Sequence, residues 1–418
     1  MSFARSYRPA EGDAVTLGVE EEFLVVDALD GRPVPGNARL LDVLDRPRAG
    51  EPSHVADRHA EQAAATGSGA PATAGTGAGP AGSAGSATGF EAELLASMIE
   101  TVSPVRTDLG GLREVLAGGR ARLGRAAAEA GLRVLAIGSP VTPPAVPRTV
   151  SAKARYGELR DLYGLIVTQQ ETCGLHVHVG VADREMAVAV VNRLRPWLPT
   201  LLAISANSPF CDGADTGYAS WRTVALSRWP ATDIPPHFSS AAHYDQVTAM
   251  LHRSGALVPS AHPYWLARPS ARFPTVELRA ADVAATVDEA VLQAALSRAL
   301  VRTACAELAA GEDTADPGDT EILRAALWAA ARFGLNGDGV HPRTGGGVPA
   351  TALVDEMLDR IRPALRETGD EEEVDRLLTA LARTGTGAER QRALLTPDTG
   401  RAGAARLIEA FDIATASL

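Results

Sequence analysis

The chain has 418 residues, of which 45% are hydrophobic, and a formal net charge of −11 at pH 7. Acidic and basic side chains are interspersed and form no basic stripe, so nucleic acid is not an expected partner. The N-terminus has no apolar signal segment, no run of about 18 apolar residues occurs, and three scattered cysteines lack a CxxC pair, so we expect a reduced, cytoplasmic protein without a membrane span.

The first predicted element is a strand at about residues 15–27, with the sequence "LGVEEEFLVVD" at its centre. Side chains alternate across a strand, so Glu20 and Glu22 share one face, whereas Glu21 joins the apolar residues on the other. Two neighbouring carboxylates among apolar residues are costly to bury unless a cation compensates them. A divalent cation would do so, because hard cations prefer oxygen ligands, and a solvated polar face is the alternative.

A low-complexity segment follows at about residues 46–89 and ends in a tract of Gly, Ala, Ser, Thr and Pro from Thr66 to Gly89. Such a tract cannot bury enough apolar area to offset the entropy lost on ordering. We therefore predict a flexible surface insertion at about 46–89 within a single domain that covers residues 1–418.

The stretch "EAELLASMIETVSP" carries Glu93 and Glu100. Their spacing of seven places them on one face of a helix but on opposite faces of an unbroken strand, and the sequence leaves both readings open. Glu100 is isolated among apolar residues and is the better candidate ligand, whereas Glu91 is expected to be solvated.

The remaining elements are predicted from apolar periodicity and capping residues. Asp183 begins one helix, and a capping box of Thr286 and Glu289 begins another. Strands are expected at "LRVLAIGS", 173–181 and 274–282, helices at about 108–130, 152–169, 183–205 and 286–310, and then mainly helices with a Gly-rich loop at 336–347. Strands and helices do not alternate regularly, so we predict an α+β fold with one mainly antiparallel sheet covered on one face by helices.

Two later strands repeat the pattern of the first. In "GLHVHVG" His176 and His178 share a face, and in "PTVELRAADVA" Glu277 and Arg279 share one, with aliphatic residues opposite in both. Taken singly, the first pair could be ordinary strand histidines and the second a surface salt bridge. If the three strands join one sheet, their polar side chains gather on one face, which suits Mg²⁺ and a polyphosphate.

Taken together, these stretches resemble the ATP-dependent carboxylate–amine ligases, also called type 2 glutamate–cysteine ligases. The matching text is "LGVEEEF", "ELLASMIETVSPVR", "GLHVHVG", "NSPFCDGADTGYASWR", "TVELRAAD" and "RFGLNG…HPRTG", in the family's order over about residues 15–350. The resemblance implies a curved, mainly antiparallel sheet like that of the glutamine synthetase catalytic domain, with helices on its convex face. The long segment at 46–89 departs from the family's pattern.

The resemblance also implies a reaction, its small molecules and a set of site residues. ATP would phosphorylate the γ-carboxylate of glutamate, and an amine, that of cysteine in the family, would displace the phosphate. The implied cation is Mg²⁺, with Mn²⁺ as the alternative, and a homodimer is left open. The implied metal ligands are Glu20, Glu22, Glu93, Glu100, His176 and Glu277; the implied nucleotide-binding residues are Arg279, His178 and Arg332; and the implied catalytic residues are Arg279, His176 and Arg222.

Two other functions compete with the ligase. A zinc hydrolase could use His176 and His178, because an HxH pair near a strand end can bind zinc. Five well-placed glutamates nevertheless favour Mg²⁺ over Zn²⁺. A non-catalytic relative that only binds nucleotide or glutamate is the third hypothesis, and the retained acids weigh against it.

Overall fold

The structure is a computed structural model that describes residues 16–46, 88–312, 318–395 and 401–414. The predicted insertion at about 46–89 lies almost wholly outside these described residues, and the single-domain organisation stays a prediction. The strands are β1 (Leu17–Asp27), β2 (Gly89–Ala92), β3 (Met98–Val102), β4 (Leu132–Leu135), β5 (Leu175–Gly180), β6 (Phe210–Cys211), β7 (Ala214–Asp215), β8 (Ala267–Pro269), β9 (Thr275–Leu278), β10 (Asp338–Val340) and β11 (Gly347–Pro349).

Seven strands form one sheet in the order β2-β3-β1-β5-β9-β8, with β4 also pairing with β1. Every pair in it is antiparallel. The central strand β1 therefore contacts β3, β4 and β5 and brings together segments far apart in the chain. Each strand that carries the polar pattern of the sequence belongs to this sheet.

Residues of the helices supply most of the buried hydrophobic core. The helices are α1 (Asn37–Leu44), α2 (Leu109–Glu129), α3 (Ala154–Tyr163), α4 (Leu165–Thr168), α5 (Arg184–Leu194), α6 (Leu198–Ser205), α7 (Trp221–Leu226), α8 (Ala241–Arg253), α9 (Val287–Ala309), α10 (Thr320–Phe333), α11 (Ala350–Thr368), α12 (Glu371–Thr384), α13 (Gly387–Leu395) and α14 (Arg401–Phe411). Against the sheet, α9 packs on β1 and β5, α5 on β8 and β9, and α2 on β4. This arrangement confirms the predicted α+β class.

Side-chain caps begin several helices where the sequence predicts. Asp108 accepts a hydrogen bond from the Gly111 amide at the start of α2, and Asp183 caps α5 in the same way. Thr286 accepts from the Glu289 amide, as expected of a capping box. The Glu289 carboxylate, however, accepts from the amide of Ala285, one residue before the cap, at 3.2 Å.

Three predicted boundaries were wrong. The helix expected at 152–169 is split into α3 and α4 at Gly164, whose φ of +59° interrupts the helix. The helix expected at 183–205 is interrupted by a 3₁₀ turn at Arg195–Trp197, which contains a proline that cannot donate a backbone hydrogen bond. The loop expected at 336–347 instead contributes to the antiparallel pair β10–β11.

The apolar face of the sheet carries one buried charged residue. Glu21, on the same face as Leu17 and Val19, is fully buried and bonded to Arg120 of α2, with 2.5 Å between Oε1 and the guanidinium. Arg120 also donates to the carbonyls of Ala284 and Ala285. Because the charge of Glu21 is neutralised inside the core, this face is free to pack against helices, and the opposite face is left for the other two glutamates of β1.

Candidate active site

The register of the sheet places the polar residues of four strands side by side. Glu20 of β1 lies opposite His176 of β5, and Glu22 lies opposite Glu100 of β3. On the other side of β5, His178 lies opposite Glu277 of β9. The structure thus brings together residues that the sequence separates by more than 250 positions.

Two three-residue clusters on this face have the geometry of cation sites. They are Glu20, His178 and Glu277, and Glu20, Glu100 and His176, and within each the candidate ligand atoms lie within 4.8 Å of one another. Glu20 belongs to both. In addition, Nε2 of His176 and Nε2 of His178 are buried and have no hydrogen-bond partner among the described residues. Buried nitrogen lone pairs beside several carboxylates fit a divalent cation.

The imidazoles also orient Glu20. Nδ1 of His176 lies 3.2 Å from Glu20 Oε2, and Nε2 of His178 lies 3.4 Å from Glu20 Oε1. Thr275 holds the other side of the His178 ring, with 3.0 Å between its Oγ1 and Nδ1. Burial alone would raise the pKa of Glu20, but its contacts with the two histidines and their charges hold it well below its usual range.

The two ends of the site differ in charge compensation. Burial opposes ionisation of Glu277, yet Arg268 and Arg279 lower its pKa well below the usual value. At the other end, burial and the Glu22 charge raise the pKa of Glu93 to about 7. Burial, followed by the charges of Glu20 and Glu93, also raises the pKa of Glu100 well above its usual value. These acids lack a strong positive partner within the described residues, and a divalent cation would supply one.

The end at Glu277 is held by two guanidinium groups. Arg268 of β8 makes a two-pronged bond to Glu277, at 2.7 Å from Nε and 3.1 Å from the terminal nitrogen, and Arg279 bonds to the same carboxylate. Arg279 also lies 3.4 Å from Nδ1 of His176. Burial and Arg279 lower the pKa of His176, which favours the neutral imidazole that a metal ligand needs. Burial lowers the pKa of His178, but the contact with Glu20 and the charges of Glu277 and Glu20 together raise it above its usual value.

Glu93 and Glu100 reach the site from a hairpin, which resolves the choice between helix and strand. Glu100 lies in β3, paired in register with Glu91 of β2, and Glu93 follows the end of β2. Tyr156 of α3 donates to Glu93 Oε2 at 3.0 Å. Glu91 is exposed and paired with Lys153 at 3.0 Å.

Arg222 lies beneath the site. Its side chain is 3% exposed and donates to the carbonyls of Arg279, at 3.2 Å, and Ala280, at 3.5 Å. A Cβ added to Gly174 would stand 2.3 Å from a guanidinium nitrogen of Arg222, so only glycine fits there. The Gly174 amide in turn donates to Glu22 Oε2 at 2.6 Å. The guanidinium therefore supports the backbone after β9 and occupies the space beside Gly174, where the charge of Glu22 acts on it.

Arg332 lies in a different environment. Its guanidinium stands 5.4 Å from the ring of Tyr218 and 5.3 Å from that of Phe333. It lines a pocket of about 440 Å³ together with residues of the α10–β10 connection and of α13. None of these neighbours belongs to the seven-stranded sheet, and the implied contact of Arg332 with a nucleotide stays a prediction.

Sequence reasoning missed Arg268 and Tyr156. Arg268 lies in a strand of only three residues, too short to show an alternating pattern, although the turn sequence "SARFP" before β9 could have suggested a hairpin partner. Tyr156 lies on a helix whose apolar periodicity is weak, and no local signal in the sequence points to Glu93.

Solved structures identify the general class of this fold. A bifunctional glutathione synthetase from Pasteurella multocida matches with a TM-score of 0.62 and 15% identity, over 94% of this chain and 52% of that one. A glutamate–cysteine ligase from Francisella tularensis in complex with AMP matches with a TM-score of 0.55 and 13% identity, over 94% and 89%. Identities this low show the fold alone. The fold is therefore one that this chain shares with two solved ligases.

Sequence comparison is more specific. The chain belongs to glutamate–cysteine ligase family 2, whose sequence profile matches residues 16–410. A candidate glutamate–cysteine ligase 2-2 of Saccharopolyspora erythraea is 43% identical over 387 residues, 92% of this chain and 90% of that protein. Membership in this family implies ATP and a divalent cation at the site. Within the described residues, no helix is both long and apolar enough to cross a bilayer.

Proposed function

We propose that the protein joins the γ-carboxylate of glutamate to the amine of cysteine and forms γ-glutamylcysteine, ADP and phosphate. The observation that carries the proposal is the pair of carboxylate–imidazole clusters that share Glu20 beside the Arg268–Glu277–Arg279 group. The names of the family and of the curated relative support the substrates. ATP and free amino acids are cytoplasmic, which is where we place the reaction.

Six residues would hold divalent cations at this face, which we assign as Mg²⁺ because carboxylate oxygens dominate the donor set. They are Glu20, Glu22, Glu93, Glu100, His176 and Glu277. A cation bound there would neutralise phosphate oxygens and so lower the cost of bringing ATP against a carboxylate substrate. Neutral His176 contributes a lone pair, and Thr275 fixes the orientation of His178 beside it.

Arg279 is the residue we assign to charge stabilisation during phosphoryl transfer. Glu277 holds its guanidinium in place before substrate arrives, so little reorganisation is needed as negative charge shifts on the transferring group. Arg222 fixes the backbone of Arg279 by bonding to its carbonyl and therefore acts as a positioning residue. His178 and Arg332 are proposed nucleotide contacts.

The chemistry has two balanced steps. A γ-carboxylate oxygen of glutamate attacks the γ-phosphorus of ATP, the bond to the bridging oxygen breaks, and ADP leaves with its electron pair. The amine of cysteine then attacks the acyl carbon, phosphate leaves, and the amine nitrogen loses a proton. Phosphorylation is needed because a carboxylate oxygen alone is a poor leaving group.

A direct assay tests the proposal. The protein is incubated with ATP, MgCl₂, glutamate and cysteine, while ADP is followed by a coupled assay and γ-glutamylcysteine by mass spectrometry. We expect ADP formation that requires both amino acids. Turnover with zinc and without ATP would instead support the hydrolase, which neither the family nor the relatives favour. If another amine replaces cysteine in a screen of acceptors, the second substrate is wrong but the ligase chemistry stands.

A further inference from the structure

Arg155 is a cation close to Glu93, and its charge acts against the rise in the pKa of that carboxyl. It lies in the first turn of α3, is exposed, and forms no ion pair within the part of the chain that the structure describes. The other cations nearby are already engaged: Arg268 and Arg279 with Glu277, and Lys153 with Glu91. Arg155 is therefore the guanidinium in this region that is available to a ligand.

Its position places it at the Glu93 end of the face. The guanidinium carbon lies 5.0 Å from the ring centre of Tyr156, whose hydroxyl donates to Glu93 at 3.0 Å. The Tyr156 side chain is buried, and its hydroxyl also lies 3.4 Å from the carbonyl oxygen of Ala92. The aromatic ring that contacts Arg155 is therefore held in place. The ring of Tyr156 thus lies between Arg155 and Glu93, which is a candidate metal ligand.

The segment before β8 is joined to α3 through three aromatic rings. Tyr264 packs its ring against Trp229, which in turn contacts Tyr163 of α3. Tyr264 is therefore held beside the helix that carries Arg155. Burial raises the pKa of Tyr264 to about 12, and the charges of Arg155, Arg279 and Arg268 act against that rise. The Tyr264 hydroxyl has no hydrogen-bond partner among the described residues.

The chemistry of these groups matches one end of a free amino acid. A guanidinium offers a planar fork of N–H donors that fits a carboxylate, and a phenol adds a further donor. A substrate held in this way extends its far carboxylate towards the clusters that share Glu20.

We propose that Arg155, assisted by Tyr264, binds the α-carboxylate of the amino acid that is phosphorylated, and so makes the site selective for α-amino acids with a side-chain carboxylate. The inference rests on the proposed function. It assigns a substrate-recognition role to a residue that carries no metal and takes no part in bond making.

The test compares Arg155→Gln with Arg160→Gln, a matched control that removes an exposed arginine of the same helix paired only with its neighbour Asp161. Initial rates of ADP formation are measured with glutamate or ATP varied. Loss of a charge-assisted pair should raise the KM for glutamate about 10- to 100-fold and leave the KM for ATP within about twofold. Arg155→Lys should recover part of the loss, Tyr264→Phe should raise the glutamate KM only a few-fold, and Arg160→Gln should match wild type.

A substrate analogue separates recognition from general weakening. 4-Aminobutanoate keeps the reacting carboxylate of glutamate but lacks the α-carboxylate. Wild type should prefer glutamate strongly in kcat/KM, and Arg155→Gln should lose most of that preference. Circular dichroism and melting temperature confirm that the variants are folded.

Two results would overturn the inference. One is an unchanged glutamate KM and an unchanged preference in Arg155→Gln, and the other is a rise in the KM for ATP instead, which would make Arg155 a nucleotide contact. Wild-type protein that forms no ADP with glutamate would overturn the proposed function as well, so the two failures can be told apart.

Discussion

At the scale of single residues, Glu277 determines how the positive end of the site is held. Two arginines converge on its carboxylate, and His178 lies beside it in the neighbouring strand. Its role is therefore double: it is a candidate metal ligand and the anchor of Arg279. A neutral amide of the same shape would fill the space but would not fix both guanidinium groups.

Glu277→Gln should reduce the rate of ADP formation by about 100-fold or more, because a preorganised charge next to the transferring phosphoryl group is lost. The variant should remain folded, with a lower melting temperature, since two arginines lose their buried partner. Glu91→Gln removes an exposed carboxylate of β2 and is the matched control, with activity expected within about twofold of wild type. Full activity in Glu277→Gln would remove this residue from the site.

The raised pKa of Glu93 should make the free energy of unfolding depend on pH in a specific direction. Burial and the Glu22 charge raise its pKa to about 7 in the folded protein, above the usual 4.5. Between those values the unfolded chain releases a proton that the folded chain retains, so the contribution of Glu93 to stability falls as pH rises from 4.5 to about 7. This sign is opposite to that of a carboxylate in a salt bridge.

Glu93→Gln isolates this effect, since both proteins keep every other titrating group. With a chelator present, we expect the two melting temperatures to be similar at pH 5 and the variant to be the more stable one at pH 8. Thermal unfolding followed by circular dichroism across this range measures the difference. A difference that does not change with pH would show that Glu93 is already ionised at pH 5.

At the scale of elements, alternation along each strand predicted which of its polar side chains share a face. The period of two paired Glu20 with Glu22, His176 with His178, and Glu277 with Arg279 on one face of each strand. A common face also required that the strands join one sheet, and the register brings β1, β5 and β9 side by side. Partners supplied by other elements could not be predicted. Arg120 reaches Glu21 from a helix 99 positions away, and no local pattern reports such a pairing.

The junction before β5 gives a prediction for this scale. Gly174→Ala places a Cβ 2.3 Å from the guanidinium of Arg222, so the arginine or the strand has to move. We expect a loss of about 1–3 kcal/mol in unfolding free energy and a lower rate of ADP formation, because Gly174 also donates to Glu22.

Gly157 of α3 provides the control. An added Cβ there meets no atom within 4 Å, and the residue is helical, so Gly157→Ala should gain up to about 1 kcal/mol. Urea denaturation measures both variants. If both substitutions change the free energy of unfolding by the same amount, the close approach of Gly174 to Arg222 does not contribute to stability.

At the scale of the whole molecule, β1 connects two large hydrophobic clusters. Leu17 and Val19 belong to the one built around α9, and Phe23 to Val26 belong to the other, which includes α1 and β4. The sequence predicted the fold class from its elements, but the order of strands in the sheet depends on contacts between distant segments. For the same reason, the pairing of β1 with β4 was not foreseen. The hairpin β10–β11 is local, and its strands of three residues each are too short to show an alternating pattern.

Because Glu20 belongs to both cation clusters, it should control the response of the whole protein to metal. Mg²⁺ should raise the melting temperature of wild type by a few degrees, since a ligand that binds only the folded state stabilises it by mass action. Glu20→Gln should abolish most of this shift, whereas Glu91→Gln should keep it. Equal shifts in wild type and Glu20→Gln would place the cation elsewhere.

The run of three glutamates in β1 has a consequence for changes of length. Glu21 faces the helices, and Glu20 and Glu22 face the opposite way. The position of each glutamate along the strand therefore decides which face its side chain occupies. Removing any one of the three leaves the same sequence, "VEEF". The side chains that follow the deletion nevertheless move to the opposite face of the sheet. A deletion here would expose apolar side chains of β1 and bury polar ones. It should therefore destabilise the fold far more than replacing any one of the glutamates with aspartate.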